Sequence, residues 1–167
     1  YTPWRPLWLL AVAWPLLHAR LAHELVHAYA WIWLADVPLL VLSSVMFVRW
    51  WPRGRKPPLL TTLFAGFAWL PATFALYASQ SLILLAAGNF VLGRGPAHAL
   101  FVGFFGTLLV AMVTRVTQGH SGRPLVMPRV ALYAFAAVNV AALVRLVAGV
   151  VPDTVGWQGG AGLAWLG

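Results

Sequence analysis

From Leu59 to Ala87 the chain runs for 29 residues without one Asp, Glu, Lys, Arg or His. At about 1.5 Å of rise per residue, such a helix outreaches the roughly 30 Å hydrocarbon core of a bilayer. In water it would expose apolar side chains on every side. In lipid its polar backbone groups are satisfied within the helix and its side chains match the solvent. Pro57-Pro58 and Gly88-Asn89 punctuate its ends, and Pro71 inside it predicts a kink. The run therefore predicts a membrane crossing.

Other runs repeat the pattern. Ala97 to Thr117 is opened by Gly95-Pro96, proline being favoured at a helix start; Val130 to Val151 follows Pro128-Arg129 and stops at Pro152-Asp153. A last run begins near Val155 and is still apolar at Gly167. In the first fifty residues, Leu7–Leu17 and Val37–Val48 are apolar, with His18, Arg20, His23, Glu24, His27 and Asp36 between them. Two crossings, over 6–27 and 28–50, fit this best. The rival is one long helix ending at Asp36-Val37-Pro38, with Asp36 as a cap. That leaves Val37–Trp51, about 22 Å, too short for the membrane core. The expectation is an all-α, polytopic transmembrane helix bundle forming one region over residues 1–167. Its approximate helices are 6–27, 28–50, 59–87, 97–117, 130–151 and a truncated 155–167, five full helices and part of a sixth. The chain starts at Tyr1 without a Met and stops inside an apolar run, so it reads as a piece of a longer protein.

Charge supports the same picture. Only 8% of residues are charged, too few to cover a soluble surface that ordinarily carries about a quarter. The net charge of +8 could suggest a nucleic-acid partner, but four of the eleven basic residues, Arg49, Arg53, Arg55 and Lys56, share one short loop. Cytoplasmic loops of membrane proteins collect such residues. With that loop inside, Arg5, Arg115, Arg123 and Arg129 are inside too, against Arg20, Arg94 and Arg145 outside, eight to three. A multi-pass membrane protein accounts for the charge without a nucleic acid. Its partners are the lipid bilayer and the remaining helices of the full-length protein. The chain has no cysteine, which excludes disulfides and thiolate-held metals within it.

The most specific stretch runs from His98 to Pro124. Ala99, Gly103, Thr107 and Ala111 recur every four residues and put small side chains on one face, where helices can approach closely. Read blandly, this is a packing stripe. His98 and His120 stand at its two ends, roughly 33 Å apart if helical, and so cannot share one metal. Arg115 and Arg123 make the inner mouth attractive to carboxylates or phosphates. Elsewhere, Arg20 and Glu24 can pair at i, i+4, and His23 and His27 share that spacing, but two ligands do not make a metal site. Asp36 within a membrane would be costly and would mark a functional position; Asn139 near mid-membrane suits a hydrogen bond to a neighbouring helix. Met46, Met112 and Met127 are soft donors that more often simply pack.

The residues His98-Ala99-Leu100-Phe101-Val102-Gly103, then Arg115, then Gly119-His120-Ser121-Gly122-Arg123-Pro124, then Asn139 and Leu143-Val144-Arg145, resemble the NnrS family of polytopic bacterial membrane proteins. Phe67-Ala68-Trp69-Leu70-Pro71 resembles the family's preceding helix, so the likeness covers Leu59 to Val151. The family's His-x-His-Glu-Met stretch has no counterpart here; His23-Glu24-Leu25 is too short a match. The resemblance implies an integral, multi-pass protein of the bacterial inner membrane with haem and copper, linked to the nitric oxide response and denitrification. On that reading His98 and His120 are the candidate metal ligands, and Arg115 and Arg123 the cofactor-binding residues. The competing reading is a cofactor-free transporter or channel, with Asp36, Asn139 and the arginines lining a path.

Overall fold

The computed structural model describes residues 7–52, 58–122 and 126–150, and these are almost wholly helical. Five helices follow one another: α1, Leu7–Leu25; α2, Trp33–Trp50; α3, Pro58–Ala87; α4, Gly95–His120; and α5, Arg129–Val150. A short 3-10 turn, Tyr29–Trp31, lies between the first two. By length and hydropathy four of them, α2 to α5, can cross a membrane. The 19-residue α1 is less apolar, because His18, Arg20, His23 and Glu24 all fall in its second half. The helix expected over 155–167 and the loop residues Arg53, Arg55 and Lys56 lie outside the described residues.

The first fifty residues make two helices, and the chain reverses between Val26 and Ile32. His27 takes a positive φ of 56°, uncommon for a residue with a Cβ, and this ends α1 sharply. The Ser81 hydroxyl then holds the turn from α3, donating to the Tyr29 carbonyl at 2.8 Å and accepting the Trp33 N–H at 3.1 Å. That tertiary tie explains why α2 starts at Trp33 rather than Ala28. It also carries Asp36 into the first turn of α2, with Pro38 close behind, instead of leaving it as a cap.

Helices adjacent in sequence pack on one another, α1 on α2, α2 on α3, α3 on α4 and α4 on α5. The predicted stripe on α4 is the seam: Ala99, Thr107 and Ala111 are wholly buried, and Gly103 is buried with them. A strict four-residue repeat drifts by about 40° per step around an α-helix. Here Ala99–Gly106 is wound as a π-helix. Its wider i→i+5 turns offset the drift and keep the small residues in line. Glycines set the approach distances. A Cβ on Gly66 would stand 3.0 Å from Thr107 Cγ2, and one on Gly106 would stand 3.0 Å from Val138 Cγ1. By contrast only 6% of the α5 span is buried, so most of α5 faces away from the other four helices.

Candidate functional site

Outer and inner name the two ends as the expected cytoplasmic position of the basic loops would have them, the N-terminal end of α4 being the outer one. His98 sits one turn into α4, where the chain turns out of the Arg94-Gly95-Pro96 segment and the His98 N–H donates to the Arg94 carbonyl at 3.1 Å. Gly95 and Pro96 are buried there, and a Cβ on Gly95 would meet Leu146 Cδ2 at 3.2 Å, so α5 presses on this end. The His98 ring is partly covered, and its Nδ1 is buried without a hydrogen-bond partner in the protein. A buried imidazole nitrogen with no donor or acceptor opposite it is uncommon in a purely structural histidine. Its hydrogen-bonding capacity is unused within the protein.

One turn further along, Gly103 is covered by the indole of Trp69, whose ring atoms would lie 2.5–2.9 Å from a Cβ at that position. The indole N–H donates to Asn139 Oδ1 at 2.8 Å, and the Asn139 amide donates to the Phe135 carbonyl at 2.8 Å. Three motif residues from α3, α4 and α5 therefore meet in the π-wound region. Sequence reasoning gave Asn139 a helix-to-helix hydrogen bond but not its partner; Trp69 lies 70 positions away and carries no sign of the pairing.

The inner end differs. His120 closes α4 and is exposed. Its Nδ1 lies 3.0 Å from the Val116 carbonyl, an arrangement in which Nδ1–H donates to the backbone and Nε2 keeps its lone pair outward. Arg115 is exposed, Gly122 turns the chain at φ 65°, and Arg123 lies outside the described residues. A groove of about 550 Å³ runs between α4 and α5 at this end, lined by Val113, Thr117, Gln118, Ser121, Pro128 and Ala131 among others. His98 and His120 occupy opposite ends of one unbroken helix and are not brought together.

A second polar cluster lies at the outer end, between α1, α2 and α3. Arg20 Nε donates to Asp36 Oδ1 at 2.9 Å, Arg20 Nη1 donates to Glu24 Oε2 at 2.8 Å, and the guanidinium carbon lies 4.1 Å over the Tyr77 ring. Asp36 is wholly buried. The pairing of Arg20 with Glu24 is legible from their spacing; that with Asp36, across the turn, is not. His23 and His27 do not form an i, i+4 pair on a helix, because α1 ends before His27, which instead meets Tyr29 edge-on. Among the described residues no group of three or more His, Cys, Asp or Glu side chains gathers to hold a metal. A single-ligand axial site for haem iron fits the donors present. A copper site built from several protein ligands does not fit the described residues of this chain.

No curated protein and no solved structure matches the chain. One family model does, that of the NnrS protein, and the match covers residues 1–167.

Proposed function

The chain belongs to the NnrS family, and from that premise we propose that it is part of an integral membrane haem protein of the nitric oxide response, at work in denitrifying metabolism in the bacterial inner membrane. The single observation that carries the haem assignment is the buried, unpartnered Nδ1 of His98. His98 is the first choice for an axial imidazole, held at the outer end of α4 where Gly95, Pro96 and Ala99 are packed around the helix start. His120 is the second, with its Nδ1–H on the Val116 carbonyl and Nε2 directed outward. Arg115 on the same helix would supply a guanidinium fork for an anionic group such as a propionate, and Arg123, three positions beyond His120 in the sequence, is expected to supply another. Bound haem would supply a redox-active iron able to take a diatomic ligand. Copper enters by family likeness alone and would need ligands from beyond the described residues.

A cofactor-free transporter remains the rival, since it too would use a buried acid such as Asp36. Asn139, the other residue that reading invoked, already has both its amide oxygen and its amide nitrogen bonded within the protein. The absorption spectrum of the purified full-length protein separates the two. Haem bands are expected, and alanine at the true ligand, His98 first, abolishes or shifts them while the protein still inserts. If His98→Ala and His120→Ala both leave the spectrum and haem content intact, this chain does not ligate the iron.

A further inference from the structure

We propose that Asp36 is a proton-binding carboxyl, exchanging with water at the outer end of the bundle past Arg20 and Glu24. This stands apart from the haem reading and draws on a different set of residues.

The geometry is not that of a closed ion pair. A guanidinium and a carboxylate that serve only to hold two helices together commonly meet fork to fork, both oxygens on two N–H groups. Arg20 instead divides itself between two acids. Its Nε–H goes to Asp36 Oδ1 and its Nη1 to Glu24 Oε2. Its Nη2 and the second oxygen of the aspartate, Oδ2, are both buried and unpartnered. No other donor bonds that oxygen, so the buried carboxylate keeps one oxygen's hydrogen-bonding capacity unused.

Charge decides what that oxygen takes. The ionisable groups facing Asp36 are Arg20 and Glu24 from α1 and Tyr77 from α3; on α2 the next is Arg49, at the far end of the helix. With both acids ionised, one arginine faces two carboxylates and the cluster carries a net charge of −1, which is costly at membrane depth. One proton makes it neutral. The two acids differ in burial: the Glu24 side chain is 45% exposed and that of Asp36 0%. Burial disfavours the charged form, so the buried carboxylate is the one neutralised. The proton therefore goes to Asp36, on Oδ2, while Arg20 stays protonated and keeps Glu24. The step is the addition of one proton to one carboxylate, and it needs no co-reactant. Glu24 and the Arg20 side chain, itself 15% exposed, form the contact between Asp36 and the outer water.

The test is infrared difference spectroscopy on the full-length protein in lipid bilayers as the pH is lowered. A carboxylic-acid carbonyl band is expected to grow as pH falls and to vanish in Asp36→Asn. Asp36→Glu, which keeps an acid, should retain the band at a displaced frequency and guards against a misfolded Asn variant. Glu24→Gln should keep the band but move its appearance to lower pH, because Asp36 and Arg20 alone are already neutral. Three results would overturn the proposal: no titrating carboxyl band, a band that survives Asp36→Asn unchanged, or a band whose appearance in Glu24→Gln stays at the same pH.

Discussion

Gly103→Ala is the smallest change that tests how α3, α4 and α5 are joined. The new Cβ would stand 2.5 Å from Trp69 Cδ2, where ordinary contact begins at 3.4 Å. The indole must therefore retreat by about 0.9 Å, since Gly103 lies in a helix wall that cannot yield as easily. Its N–H now reaches Asn139 Oδ1 at 2.8 Å; a retreat of that size along the N–H···O line lengthens the separation to about 3.7 Å, beyond a hydrogen bond. Overpacking costs about 1–3 kcal/mol, and a lost interhelical hydrogen bond in a membrane adds about 0.6–2 kcal/mol. Against this, alanine gains up to about 1 kcal/mol over glycine in a helix interior. The net expectation is a loss of about 1–4 kcal/mol, read by reversible unfolding in mixed micelles. Gly119→Ala on the same helix is the control, because nothing lies within 4 Å of a Cβ there, and it should be neutral or mildly stabilising. In a Trp69→Leu background the Gly103→Ala penalty should largely disappear. If Gly103→Ala and Gly119→Ala unfold at the same denaturant concentration, the indole does not set the spacing of these helices.

Other expectations can be checked independently. Cysteines introduced at Gly54 and Ser121 should resist an impermeant thiol reagent in intact cells and react after lysis, as the eight-to-three distribution of basic residues requires; labelling of either in intact cells reverses the orientation. Arg20→Met removes the hydrogen-bond donor to the wholly buried Asp36 carboxyl and should cost about 1–3 kcal/mol in an unfolding titration, with most of it recovered in Arg20→Met/Asp36→Leu. Equal stability of the single and double variants would count against the Arg20–Asp36 bond as the source of that cost. Arg123→Ala should speed haem loss to a scavenger without altering the absorption bands; unchanged release removes it from the cofactor's surroundings.

Much of the architecture was legible because the bilayer imposes a length and a composition on each helix. The run from Leu59 to Ala87 and the observed Pro58–Ala87 differ by one residue, and the small-residue stripe on α4 is the buried seam. What escaped was set by tertiary contact or by winding. Nothing in the letters before Trp33 says that α2 waits for a serine on α3, or that Asp36 turns inward to meet Arg20. The π stretch has no residue signature, since Ala99–Gly106 reads as good α-helix. Among the candidate ligands, the spacing of His98 and His120 already ruled out a shared metal. That His98 keeps a buried, unsatisfied nitrogen could be learned only from its surroundings.

The π winding of Ala99–Gly106 also gives α4 a mechanical character of its own. Each residue of register taken up there turns everything beyond it by about 100° around the axis. The winding thus sets the angle at which Thr107–His120 leaves the end gripped by α5, and that angle carries Thr107 and Ala111 into the buried seam. The helix is a fixed offset coupling, its far half held out of phase with the course a plain α-helix would take.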